Sequence, residues 1–123
     1  MTHILIIEDE PMIALSIQMT FEDEGITSFD TASTQAEAVR LAGLRRPDFI
    51  TSDVALIEGT GPRAVATILA TLGSIPVLFL TGNPEDCVPV TPPAVVLIKP
   101  FNQRQLVMTY RALVDAQGDE PDA

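Results

Sequence analysis

The sequence predicts a doubly wound α/β domain, a five-stranded parallel sheet of strand order 2-1-3-4-5 with helices on both faces. Three observations lead there. Short runs rich in β-branched residues alternate with segments whose apolar residues recur at helical spacing, the pattern of parallel strands joined by crossover helices. Charged or hydroxyl side chains close several of these runs, at the strand ends where such sheets gather their ligands. The length, 123 residues, suits one compact domain with a single core, large enough to fold without a disulfide or a structural metal.

The first strand, residues 4–7, is a continuous apolar run. Pro11 suits the first turn of the helix that follows, where its missing N–H costs little, and Ile13, Ile17 and Phe21 then fall on one stripe before Gly25 stops the helix. A short second strand covers residues 27–31. Thr34 and Glu37 have the spacing of a capping box, with Ala38, Leu41 and Ala42 as the buried face of a second helix that ends before Pro47. Residues 49–53 form the third strand, and residues 58–62 a loop into a helix that turns Val65, Ile68, Leu69 and Leu72 inward. The fourth strand covers residues 75–80. Gly82, Pro84, Pro89, Pro92 and Pro93 then leave little room for a regular amphipathic helix, so the fourth helix is expected to be short or unstable before a fifth strand at residues 94–98. Asn102 as N-cap, with Gln105 three residues on, starts a last helix that buries Leu106, Tyr110 and Leu113. The domain is expected to span residues 1–117, with 118–123 as an acidic, solvated tail.

Seventeen acidic against seven basic residues give a formal charge of −10, which opposes approach to DNA or an anionic membrane. Cys87 is the single cysteine, so no internal disulfide forms, and it reads as a small loop residue. The first residues lack the basic flank and apolar core of a secretion signal, and the apolar runs fall far short of the roughly 20 residues that span a bilayer. A cytoplasmic location is the expectation. His3 is expected ahead of the first strand, at a surface or edge; Arg45 and Arg46 are expected to close the second helix through its dipole. Arg104 and Arg111 are expected to flank a partner face, and Phe101 to anchor the last helix.

Glu8 and Asp9 follow the first strand, Asp53 ends the third, Thr81 closes the fourth, and Lys99, the only lysine, follows the fifth. In the order 2-1-3-4-5 the first and third strands are neighbours, so the three carboxylates converge. At about 4 Å such charges repel by roughly 1 kcal/mol per pair in water, and by about 4 kcal/mol at an effective dielectric of about 20. A cation resolves that conflict. Hard, all-oxygen ligation suits Mg²⁺, held by Glu8, Asp9 and Asp53 with waters and the backbone carbonyl of Ala55, whereas softer metals want His or Cys. Asp53 is the candidate nucleophile for an aspartyl phosphate. Thr81 is placed to donate a hydrogen bond to a phosphoryl oxygen, and Lys99 to balance another. Singly, each residue has an ordinary structural reading as a helix cap, a turn bond or a snorkelling lysine. Together, at successive strand ends, they point to phosphoryl transfer.

The acidic pair Glu8-Asp9, Asp53 with Leu56 and Gly61 downstream, Thr81-Gly82 and Lys99-Pro100-Phe101 together resemble the receiver domain of two-component response regulators, a CheY-like fold of flavodoxin topology, over essentially the whole chain. The resemblance implies that Asp53 accepts a phosphoryl group from a phosphohistidine on a histidine kinase or histidine phosphotransfer protein, with Mg²⁺ required. It also implies that the domain later catalyses loss of that group, that Lys99-Pro100 is cis, and that the domain is a signalling module rather than an enzyme. Two positions depart from the pattern. Ile57 stands where many receivers have proline, and Val96 where an aromatic switch residue is usual, so the usual Thr–aromatic coupling does not carry over. Phe79-Leu80-Thr81-Gly82 without that aromatic resembles the FAT GUY subgroup of single-domain receivers, some of which serve bacterial general stress-response signalling. A stand-alone receiver signalling by phosphorylation-dependent partner binding is the expectation, with phosphorylation ordering residues 82–93.

Other functions fit less well. A pseudo-receiver scaffold has no need of the full acid, threonine and lysine set. A small Mg²⁺-dependent phosphatase would want an Asp general acid at Ala55 and a substrate cap. A flavin-nucleotide binder needs hydroxyls and free N–H groups in its first loop, where Glu8, Asp9 and Glu10 would repel a phosphate.

Overall fold

Alternation of side chains along each strand sends apolar groups to both faces of one sheet. In the computed structural model, which describes residues 2–82 and 94–118, the elements are β1 (His3–Ile7), α1 (Pro11–Glu22), β2 (Ser28–Ala32), α2 (Gln35–Leu44), β3 (Phe49–Asp53), α3 (Gly61–Leu72), β4 (Val77–Thr81), β5 (Ala94–Ile98) and α4 (Gln103–Gly118). The strands pair in parallel in the order β2-β1-β3-β4-β5, as expected. The short or unstable helix expected before β5, its ordering on phosphorylation, and Cys87 lie outside the described residues. So does the acidic tail beyond Gly118, and Gly118 itself belongs to α4.

The sheet divides the expected single core into two layers. On one face Leu5, Ile7, Ile50, Val77 and Phe79 pack against Ala38 and Ala42 of α2 and Ala64, Val65 and Ile68 of α3. On the other, Ile4, Ile6, Phe49, Leu78 and Leu80 pack against Ala14, Ile17 and Phe21 of α1 and Leu106 and Leu113 of α4. Each large side chain so buried contributes about 1.5–3 kcal/mol. Tyr110 completes an aromatic cluster with Phe21 and Phe49, at centroid distances of 5.0 and 4.8 Å. No helix among the described residues is long and apolar enough to cross a membrane.

Capping follows the sequence closely. Glu37 N–H donates to Thr34 Oγ1 at 3.1 Å, while the Glu37 carboxylate reaches back to the N–H of Ser33, one residue before the cap. At α4 the exchange is reciprocal: Gln105 N–H donates to Asn102 Oδ1 at 2.8 Å, and Asn102 N–H to Gln105 Oε1 at 2.9 Å. Thr60, not anticipated as a cap, accepts from Arg63 N–H at the start of α3.

Several expectations need correction. His3 is neither at the surface nor ahead of the first strand: it opens β1 and is 2% exposed. Its Nδ1 lies 2.8 Å from Ser28 Oγ and its Nε2 2.9 Å from Asp30 Oδ2. Because β1 lies between β2 and β3, its first residue is covered from both sides, and these polar partners make burial of the ring tolerable. Arg46 donates to the carbonyl of Ser74 rather than closing α2, which ends at Leu44. Arg111 pairs with Glu24, tying α4 to the turn after α1. β2 begins and ends one residue later than expected, and β4 begins at Val77, after Pro76, which has no N–H to offer a ladder.

Thr51 in β3 is fully buried, and its hydroxyl has no hydrogen-bond partner among the described residues. An unsatisfied buried hydroxyl costs about 1–3 kcal/mol, and valine has nearly the same shape. Thr51→Val should therefore stabilise the protein by about 1 kcal/mol in urea unfolding; a loss of stability would mean that the hydroxyl has a partner.

Candidate functional site

Register builds the site. Ile7 pairs with Ser52 across β1 and β3, so Glu8 stands level with Asp53, at the carboxyl ends of the two strands between which the strand order reverses. The N–H of Glu8 donates to the carbonyl of Ala32 at 2.8 Å, which carries the β1–β2 ladder one residue past the strand. On the other side Asp53 pairs with Leu80, and Thr81 with Ile98. The N–H of Lys99 donates to the Thr81 carbonyl at 2.8 Å, extending the β4–β5 ladder in the same way. The Lys99-Pro100 peptide is cis, as the resemblance implied.

The carboxylates of Glu8, Asp9 and Asp53 each offer an oxygen within 4.8 Å of the others. Lys99 reaches across to them, its Nζ 3.4 Å from Asp53 Oδ1 and 3.8 Å from Glu8 Oε1. Asp53 Oδ1 also accepts from the N–H of Val54 at 2.8 Å. Glu8 is buried; its Oε2 accepts a long bond from Glu10 N–H, and its Oε1 has no hydrogen-bond partner among the described residues. Burial, and then the charge of Asp53, push the Glu8 carboxyl up from 4.5 to about 7, with Lys99 pulling weakly the other way. One ammonium thus answers three carboxylates, one of which holds a buried, unsatisfied oxygen. This donor set fits a small, hard divalent cation with all-oxygen ligation.

The loop after β3 is drawn tightly against the acid. A Cβ on Gly61 would lie 1.8 Å from the Asp53 carbonyl oxygen and 2.3 Å from Ser52 Oγ, so only glycine lets α3 begin this close. Ser52 Oγ donates to that same carbonyl oxygen at 2.9 Å, and the N–H of Gly61 to the Val54 carbonyl at 2.9 Å. Ala55 is exposed and forms an isolated antiparallel bridge with Thr60. Thr81 is buried at the end of β4, between the strands that carry Asp53 and Lys99. Every sequence-derived site residue therefore stands at the carboxyl edge of the sheet or on the loop leaving it. Ser52 was not anticipated; a serine before an acid carries no distinctive signal, because its role depends on the approach of Gly61.

Residues 4–111 match the family described as the response regulator receiver domain. The phyllosphere-induced regulator PhyR of Methylorubrum extorquens is 39% identical over 104 residues, which cover 81% of this chain and 39% of that protein. The chain spans 44% and 50% of two further curated relatives. Among solved structures, the PhyR receiver domain of Erythrobacter litoralis is similar at 28% identity and a TM-score of 0.85, covering 99% of this chain and 95% of that one. Chemotaxis protein CheY4 of Vibrio cholerae is similar at 28% identity and a TM-score of 0.80, covering 92% and 98%.

A carboxyl whose folded value is raised binds more protons in the native state than in the unfolded chain, so stability falls as pH rises through that window. Without divalent cations, the protein should lose on the order of 3 kcal/mol between its ordinary value of 4.5 and about 7. Glu8→Gln should flatten that slope in unfolding curves taken across the range; an unchanged slope would place the titrating group elsewhere.

Proposed function

The chain belongs to the response regulator receiver domain family of two-component systems, and within it we propose that Asp53 is the phosphoacceptor, taking its phosphoryl group from a phosphohistidine. Receiver domains are signalling domains that answer to histidine kinases, so the donor is a histidine kinase or a histidine phosphotransfer protein. The observation that carries this reading is the convergence of Glu8, Asp9, Asp53 and Lys99 at the crevice between β1 and β3.

A carboxylate oxygen of Asp53 attacks phosphorus in line with the bond to the donor imidazole. The new O–P bond forms as the P–N bond breaks, and the departing imidazole takes up a proton. Val54 N–H holds Asp53 Oδ1 during the approach. Lys99 moves from the carboxylate to a phosphoryl oxygen, and the Thr81 hydroxyl donates to another, so charge is answered where it accumulates. Glu8, Asp9, Asp53 and the Ala55 carbonyl would hold Mg²⁺, which when bound offsets the charge on the acids and on the transferred group. Glu8 must give up its proton to serve as a ligand, and because burial and Asp53 hold that proton up to about 7, cation binding should weaken as pH falls below that value. Water later cleaves the acyl phosphate, returning Asp53 and inorganic phosphate.

Phosphorylation then changes the surface offered to a protein partner; the formal charge of −10 disfavours DNA as a direct target. A place in bacterial general stress-response signalling is supported by Phe79-Leu80-Thr81-Gly82 and by the likeness to PhyR regulators.

Intact mass after brief incubation with Mg²⁺ and a phosphohistidine donor should show a single phosphoryl addition that Asp53→Asn abolishes. Lys99→Ala should slow the addition by at least about tenfold. Addition that persists in Asp53→Asn, or none from several competent donors, would overturn the proposal, the latter in favour of a phosphorylation-free scaffold.

A further inference from the structure

The loop between β3 and α3, residues 54–60, follows Asp53 and carries the Ala55 carbonyl, yet its own hydrogen bonds are few. Gly61 N–H closes onto the Val54 carbonyl, and Ala55 bridges to Thr60. Two further bonds tie the loop to an element other than β3 and α3, and both come from Gln35, the first residue of α2. The backbone N–H of Gln35 donates to the Glu58 carbonyl at 3.0 Å. Its side-chain Oε1 accepts from the N–H of Thr60 at 3.1 Å. A helix's first N–H groups have no partner within the helix, so α2 spends one of its own on this loop.

Between the two anchored peptides lies Gly59, at φ +82°, a backbone conformation that side chains rarely adopt. A Cβ there would meet Gln35 Oε1 at 2.4 Å and Gln35 Cβ at 2.5 Å, so the glycine and the glutamine are fitted to one another. Thr60 in turn caps α3 and pairs with Ala55, two residues beyond Asp53. Fixing Thr60 therefore fixes both ends of the loop that shapes the acid's surroundings.

The geometry points to Gln35 as a positioning residue for the phosphoacceptor loop, acting through Thr60 on the Ala55 backbone and on Asp53. This inference rests on the reading of Asp53 as phosphoacceptor only for its consequence in phosphoryl transfer; the control over the loop stands by itself. The side-chain group at work is an acceptor oxygen held at glutamine's reach. Glutamate offers the same oxygen at the same reach and alanine offers none, while the cap at Thr34 is untouched by either.

The test compares wild type, Gln35→Ala and Gln35→Glu by amide exchange of residues 54–60 in cation-free protein, by Mg²⁺ titration followed through the amide resonances of the same residues, and by phosphorylation rate with a small-molecule phosphoryl donor. In Gln35→Ala, the Thr60 amide should lose protection and Mg²⁺ affinity should fall by about tenfold, the scale seen when groups supporting metal ligands are removed. Phosphorylation should slow in parallel, and Gln35→Glu should restore all three readouts. Unchanged exchange across residues 54–60 in Gln35→Ala overturns the inference, and so does a Gln35→Glu variant as impaired as the alanine. Should wild type itself take no phosphoryl group, the reading of Asp53 fails, while exchange in the cation-free protein still decides the role of Gln35.

Discussion

Three carboxylates held within 4.8 Å of one another, with a single lysine to answer them, set the terms for the rest of this molecule. Like charges at that spacing repel by a few kcal/mol at intermediate dielectric, a sizeable fraction of the roughly 5–15 kcal/mol that keeps a domain folded. Glu8 and Asp53 cannot relax apart, because each is fixed by the ladder behind it: Ile7 pairs with both Ala32 and Ser52, and Asp53 pairs with Leu80. The strain is therefore built into the sheet. Two apolar layers, one under α2 and α3 and one under α1 and α4, offset it.

The same constraint explains how the surroundings are organised. Lys99 is brought to the acids by one extra rung of the β4–β5 ladder, and it touches two of them. Glu8 responds to burial and to Asp53 by holding its proton up to about pH 7, which leaves the site able to exchange a proton for a cation under ordinary conditions. Around Asp53 the backbone is clamped by Ser52, Gly61 and, from a neighbouring helix, Gln35. A site that must place reacting atoms within a fraction of an ångström needs such support from rigid elements.

Much of this was legible in the sequence, and for identifiable reasons. Unbroken apolar runs such as Phe49-Ile50 and Leu78-Phe79-Leu80 mark buried strands whatever surrounds them, so strand existence followed from pattern, while their order came with the receiver-like fold class. The acids, Thr81 and Lys99 stood out because each sits at the end of a run. What escaped was anything decided by pairing across the chain. His3 is buried because Ser28 and Asp30 on β2 present polar atoms to both ring nitrogens, which depends on a register between segments some 25 residues apart. Gln35 sits beside two capping residues that were legible, yet its own partners lie on a loop 23 or more residues downstream, at Glu58 and Thr60. β2 was placed one residue early because Ser28-Phe29-Asp30-Thr31 has little apolar character to fix its ends.

The central claim, that the acid cluster is strained when empty of cations and relieved by one, is tested most directly by unfolding wild type and Asp53→Asn at neutral pH with and without Mg²⁺. The account requires that cation-free Asp53→Asn be more stable than cation-free wild type. It also requires that Mg²⁺ at about a hundredfold above its dissociation constant stabilise wild type by about 3 kcal/mol and the variant far less. A variant no more stable than wild type without cations, and stabilised by Mg²⁺ to the same extent, would contradict it.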